Sequence, residues 1–62
     1  MAQKVTKEEF YNTISKLDVI VTFKGDKGDF LWQIDFCLRY GKRVGYIKPI
    51  DTYGFFEYYL ED

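Results

Sequence analysis

From Phe30 to Tyr40 every even-numbered position is apolar or aromatic (Phe30, Trp32, Ile34, Phe36, Leu38 and Tyr40), while the odd positions are mixed (Leu31, Gln33, Asp35, Cys37 and Arg39). A period of two is that of an extended strand, which sends alternate side chains to opposite faces. A helix is the rival reading. Phe30, Ile34, Cys37 and Leu38 could form its stripe, with Asp29 as cap and Gly41 as terminator. That helix would leave Trp32, Phe36 and Tyr40 on a second stripe away from any core, so the strand is favoured.

Upstream, Thr6-Lys-Glu-Glu9 has the capping-box pattern, and Val5 and Phe10 are spaced for a hydrophobic staple. Phe10, Ile14 and Leu17 then fall on one helical stripe. The spacing predicts a helix over 6–17 behind a flexible tail of residues 1–5. At Asp18 the period changes: Val19, Val21 and Phe23 alternate with Ile20, Thr22 and Lys24, which predicts a strand.

Gly25-Asp-Lys-Gly28 is a turn by composition. As a four-residue hairpin loop it would set Lys24 opposite Asp29, Phe23 opposite Phe30, Val21 opposite Trp32 and Val19 opposite Ile34. Gly41-Lys42 fits a two-residue type II′ loop, which would oppose Phe36 to Ile47, Asp35 to Lys48 and Arg39 to Val44. Pro49 closes that third strand, and Phe55 to Leu60 reads as a fourth strand at the sheet edge. The expected fold is one α+β domain over residues 1–62. Its N-terminal helix packs on a three- or four-stranded antiparallel β-meander spanning 18–60, either open or curled into a partial barrel.

The missing residue types exclude most chemistry. Without histidine there is no Ser-His or Cys-His nucleophile pair and no imidazole base or metal ligand. The lone Cys37 forms neither an intrachain disulfide nor a cysteine-based zinc site and reads as a small packing residue. There is no GxGxxG and no phosphate loop. The acids do not converge either: Glu8 and Glu9 suit a helix start, Asp26 and Asp29 flank a turn, and Glu61 and Asp62 end the chain. The expectation is a protein that is not an enzyme and uses no cofactor or metal. At 47% hydrophobic the chain is not disordered, and its apolar runs fall far short of the ~20 residues that span a bilayer. With no apolar signal-like start, a cytoplasmic location without membrane contact is expected.

Six Phe, six Tyr and one Trp in 62 residues are more rings than so small a core is expected to hide. Phe23, Phe30, Trp32 and Phe36 are assigned to core filling. The C-terminal group is the candidate protein-binding surface: Tyr53, Phe56, Tyr58 and Tyr59 with Glu57 and Glu61, because tyrosine gives large contact area at small entropic cost. Asp51, Glu57, Glu61 and Asp62 give that end a charge of −4, which suits a basic partner surface such as one that normally holds nucleic acid. The alternative is nucleic-acid binding through a basic hairpin tip, Arg39, Lys42 and Arg43, with Tyr46 stacking on a base. The acidic balance of the whole chain speaks against it. Self-association through an edge strand, giving a homo-oligomer, is a third reading.

Val19-Ile-Val-Thr-Phe23, the Lys-Gly that follows, a strand ending near Cys37-Leu38 and a closing aromatic strand resemble the short SH3- or Sm-like barrel proteins of tailed phages. The plan of a helix followed by antiparallel strands is also similar to that of small phage inhibitors of bacterial defence, the anti-CRISPR proteins among them. These resemblances imply a phage-type inhibitor or modulator that binds a host protein in the host cytoplasm, and they transfer no functional residue.

Overall fold

The computed structural model of the chain describes residues 1–26, 28, 31–51 and 53–61. The elements run β1 (Ala2–Val5), α1 (Lys7–Ile14), β2 (Val19–Asp26), β3 (Leu31–Leu38), β4 (Arg43–Pro49) and β5 (Phe56–Glu61). All strand pairs are antiparallel, in the order β1-β5-β4-β3-β2. The fold is therefore α+β with an antiparallel meander, β2 to β5, as expected. It has five strands instead of three or four, and the sheet is open.

The fifth strand comes from the segment expected to be a tail. Residues 2–5 pair with β5 from Ala2 opposite Glu61 to Val5 opposite Tyr58. This corrects two expectations together, because β5 becomes an inner strand and the sheet edges are β1 and β2. A four-residue strand carries too little alternation to be recognised alone, and its partner is more than fifty residues away.

Thr6 caps α1 as its sequence predicts: its hydroxyl accepts a hydrogen bond from the Glu9 amide at 3.1 Å. The helix is shorter than expected. After Ile14 the Lys16 and Leu17 amides donate to the carbonyls of Thr13 and Ile14 in tight i→i−3 fashion, so Leu17 leaves the stripe and is exposed. The segment carrying Trp32 is extended over Leu31–Leu38, which removes the helical rival.

Both hairpins shift their register; the first keeps its expected faces throughout, the second only as far as Gly45. β2 pairs Val19 with Leu38, Val21 with Phe36, Phe23 with Ile34 and Lys24 with Gln33, a slip of four residues from the expected alignment. An even slip preserves which side chains share a face. Its cause is the continuation of β2 through Gly25 and Asp26, the Asp26 carboxylate accepting from the Gly28 amide at 2.8 Å. Asp29 and Phe30, the partners expected for Lys24 and Phe23, lie outside the described residues.

In the second hairpin the loop is Arg39-Tyr40-Gly41. Leu38 N–H donates to Lys42 O, Gly41 N–H donates to Leu38 O, both at 2.8 Å, and Gly41 has φ +103°. This is a three-residue loop whose glycine takes the left-handed position, not the two-residue type II′ turn. Ile34 now faces Ile47, Asp35 faces Tyr46 and Phe36 faces Gly45, while Cys37 faces Arg43 across a bulge that leaves Val44 as the extra residue. The bulge turns Val44 toward the core and Arg43 to the opposite face.

The core lies between α1 and the centre of the sheet. Phe10, Ile14 and Ile47 are buried, ringed by Val5, Val19, Phe36, Val44, Tyr58 and Leu60. Phe10 is fully enclosed, edge-on to Phe36 with centroids 5.1 Å apart. Gly45 makes room for it: a Cβ there would stand 2.9 Å from Phe10 Cε2 and 2.6 Å from the Tyr59 carbonyl. Eight helical residues extend about 12 Å, whereas five strands span about 19 Å, so α1 cannot roof the whole face. It packs on β4 and β5. Among the described residues no helix lies over the part of the face formed by β2 and the start of β3. No helix among the described residues is long and apolar enough to cross a membrane.

Candidate interaction surfaces

Where α1 stops short, a groove of about 570 Å³ opens on the helix side of the sheet. Trp32, Ile34, Ile47, Phe56 and Tyr58 come from the strands, Lys7 and Tyr11 from the helix, and Gly54 and Phe55 from the β4–β5 loop. Trp32 is held between Phe23, stacked at 5.8 Å, and Phe56, tilted at 62° and also 5.8 Å away. The loop is braced at its mouth, the Ile50 amide donating to Phe55 O at 3.0 Å and the Tyr53 amide to the Asp51 carboxylate at 2.9 Å. That closure holds Phe55 at the rim, 64% exposed. Lys7 is the one charged side chain in the groove lining.

The opposite face of the sheet is polar and largely self-neutralised. At its centre Asp35 is 1% exposed. Its carboxylate is enclosed by polar neighbours: Gln33 Nε2 donates at 2.6 Å, Lys24 Nζ lies 2.9 Å away and an Arg43 guanidinium nitrogen 3.7 Å away. Burial by itself raises the Asp35 pKa, but the hydrogen bonds from Gln33 and Lys24 and the charges of Lys24 and Arg43 outweigh it, so the group sits below 3.8. Arg43 also binds Glu61 at 2.8 Å and lies over the Tyr46 ring, 4.6 Å from its centroid. Tyr46 stacks on Tyr59 at 4.8 Å, and Lys48 lies over Tyr59 in turn.

Lys4 pairs with Glu57 at 3.0 Å. The pair lowers the Glu57 pKa, chiefly through the hydrogen bond from Lys4, and raises that of Lys4. The Tyr59 hydroxyl donates to Glu57 at 3.3 Å, and its pKa is raised by burial first and by the Glu57 charge second.

The sequence-predicted protein-binding residues are thus divided. Phe56 and Tyr58 face the helix side and line the groove, whereas Glu57, Tyr59 and Glu61 lie on the polar face, and Tyr53 stands out on the loop, 85% exposed. Glu57 and Glu61 are neutralised by Lys4 and Arg43, so the acidic aromatic end is not a free acidic patch. The basic tip is divided as well: Arg39 pairs with Asp18 at 2.7 Å, Lys42 is exposed beside the turn, and Arg43 and Tyr46 belong to the polar face. The groove also takes in Phe55, one of the C-terminal rings, Trp32, expected in the core, and Tyr11 and Lys7, which nothing in the sequence marks as site residues. No sequence signal marks them, because the stripe runs on to Leu17 in the sequence, whereas α1 ends at Ile14 and leaves the alternating rings of β3 without a roof.

Among the described residues no cluster of Asp, Glu or Cys is arranged to hold a metal ion. No protein-family model, curated protein or solved structure matches the chain.

Proposed function

We propose that this chain is a non-enzymatic protein-binding module and that its contact surface is the aromatic groove beside α1, with Phe55 and Phe56 as anchors over a Trp32 floor. The observation that carries this reading is the exposure of Phe55 at 64% and Phe56 at 36% on the groove, with Phe23 at 43% stacked on its Trp32 floor, in a chain with only three buried core hydrophobics among its described residues. Large apolar patches on small soluble proteins mark interaction sites, and aromatic anchors set in a pocket supply most binding energy at such sites. Lys7 on the lining favours a partner segment that carries an acid beside its apolar anchor. Binding without catalysis is also how an inhibitor of the kind the resemblance implies would act.

The nucleic-acid reading has less behind it. Arg39 and Arg43 are each held by a carboxylate of their own chain, and phosphate contacts would have to displace Asp18 and Glu61.

The test is affinity capture from lysate by the immobilised chain, compared with Phe55→Ser and Phe56→Ser variants whose circular dichroism is unchanged. Loss of at least ~90% of the captured protein is expected for Phe55→Ser, in line with a hot-spot truncation. Equal capture by wild type and both variants would refute the groove, and capture abolished by nuclease treatment would favour nucleic acid.

A further inference from the structure

The two sheet edges are unequal. β1 is four residues long and carries Lys4 and Gln3, the kind of short polar edge that resists pairing. β2 is eight residues long, and among the described residues no strand pairs with its outer side. On the helix side its side chains are apolar, Val21 being 60% exposed, and on the polar side Ile20 is 42% exposed while its one lysine is engaged by Asp35. Such an edge is a template for another strand.

We infer that β2 pairs antiparallel with β2 of a second copy, centred on Val21, so that two sheets join into one of ten strands. A two-fold axis perpendicular to the sheet keeps each face on its own side, so only alignments pairing residues of the same face are allowed. Centring on Thr22 sets Asp18 against Asp26 of the other copy, and centring on Ile20 sets Lys16 against Lys24. Centring on Phe23 puts Ile20 against Asp26. Centring on Val21 sets apolar against apolar on the helix side, Val19 with Phe23 and Val21 with itself, and it does so without setting like charges against each other. On the polar side it sets Asp18 against Lys24 at both ends. Those two charges are exposed enough to serve both partners, their side chains being 73% and 63% accessible. Asp18 uses Oδ2 for Arg39 and keeps Oδ1, and an ammonium has three donors. The pairing also brings the unroofed halves of the two sheets together. A single strand pair buries less than the ~1,200–2,000 Å² of a stable standard interface, so the dimer is a weak one that forms at high chain concentration.

Sedimentation equilibrium reads this directly. The wild-type mass rises with concentration from 7.4 kDa toward twice that value. Val21→Lys and Val21→Glu, which place like charges face to face on the axis, each stay monomeric at every concentration. An equimolar mixture of the two restores the dimer. A second measurement does not depend on those variants folding. In a Cys37→Ser background, Val21→Cys cross-links under oxidation, since paired residues lie about 4.5–5.5 Å apart at Cα, whereas Phe23→Cys does not. A wild type that stays monomeric at about 1 mM, a Val21→Lys variant that dimerises like wild type, a mixture that stays monomeric, or cross-linking through position 23 in place of 21 would each overturn the proposal. The groove variant Phe55→Ser dimerises normally, which keeps this test separate from that of the groove.

Discussion

Lys24 Nζ lies 2.9 Å from Oδ2 of Asp35, a carboxylate that is 1% exposed on the sheet face opposite α1. The lysine stem spans the strand and keeps its own charge in contact with water, 63% of its side chain being accessible. The two ends of this pair are therefore unequal, since Lys24 can be solvated without Asp35 but Asp35 cannot be solvated without moving the side chains around it. Lys24→Met should cost about 1–3 kcal/mol, the usual penalty for a buried polar group that loses a partner, and should raise the Asp35 pKa. Urea unfolding gives the first quantity and carbon-detected NMR titration of the carboxyl the second. A variant as stable as wild type with an unmoved Asp35 titration would show that Gln33 and Arg43 suffice.

The same carboxylate sets a pH dependence. Its pKa is lower in the fold than the ordinary 3.8, so its contribution is complete above the unfolded value and is lost as the pH falls through the folded one. Stability should be level from pH 7 to about 5 and should decline below about 4. Asp18, held low by the Arg39 hydrogen bond and charge, and Glu57, held low chiefly by the Lys4 hydrogen bond, titrate in the same direction from more accessible positions. Asp35→Asn should therefore flatten most of the acid slope and leave a residue of it. Thermal melts across pH 2.5–7 check this, and an unchanged slope would assign acid sensitivity to the surface pairs.

Two glycines with nearly the same backbone angle should respond differently to alanine. Gly25 has φ +104° and Gly41 φ +103°, so either substitution carries a left-handed strain of about 1 kcal/mol. Around Gly41 nothing lies within 4 Å of the new Cβ, whereas at Gly25 it would run into the Leu31 carbonyl and stand 2.7 Å from Trp32 Cα. Both obstacles are backbone, so β2 and β3 must separate. Gly25→Ala should cost at least about 2 kcal/mol more than Gly41→Ala, a difference that urea midpoints resolve.

Much of this fold is legible because its signals are local. The Thr6 cap, the alternation of β2 and β3 and the assignment of Trp32 and Phe36 to one face depend only on nearby residues, and an even register slip leaves faces intact. What escapes depends on distance. The Arg43 position follows from the bulge opposite Phe36 and Cys37, and the neutralisation of Glu57 follows from β1. The candidate site was half legible for the same reason. Phe56 and Tyr58 stand out by composition, but that they share a groove with Trp32 and Lys7 depends on where an eight-residue helix ends over a sheet about 19 Å wide.

Phe10 carries the core. It is fully buried, it meets Tyr11, Phe36 and Tyr58 edge-on or tilted within 5.6 Å, and Ile14 and Ile47 are the only other buried hydrophobic side chains among the described residues. Phe10→Ala should cost about 3–5 kcal/mol. A chain of this size has on the order of 3–9 kcal/mol in total, so the variant should be largely unfolded or close to it at 25 °C. Far-ultraviolet circular dichroism and proton line widths report that outcome. A cooperative melt within a few degrees of wild type would place the core elsewhere.

Removing residues 1–5 while keeping Thr6 tests whether β1 is structural. The deletion strips one edge of β5, which then exposes the backbone groups that paired with Ala2 to Val5. It also frees Glu57 from Lys4 and uncovers the side of the core against which Val5 packs. A few strand hydrogen bonds at about 0.5–1.5 kcal/mol each, plus a half-buried valine, amount to about 2–4 kcal/mol. That corresponds to a melting temperature lowered by at least about 10 °C. The newly exposed β5 edge should also make the shortened chain aggregate more readily. If instead the truncated chain melts where the full chain does and stays equally soluble, residues 1–5 behave as a tail and the sheet is functionally four-stranded.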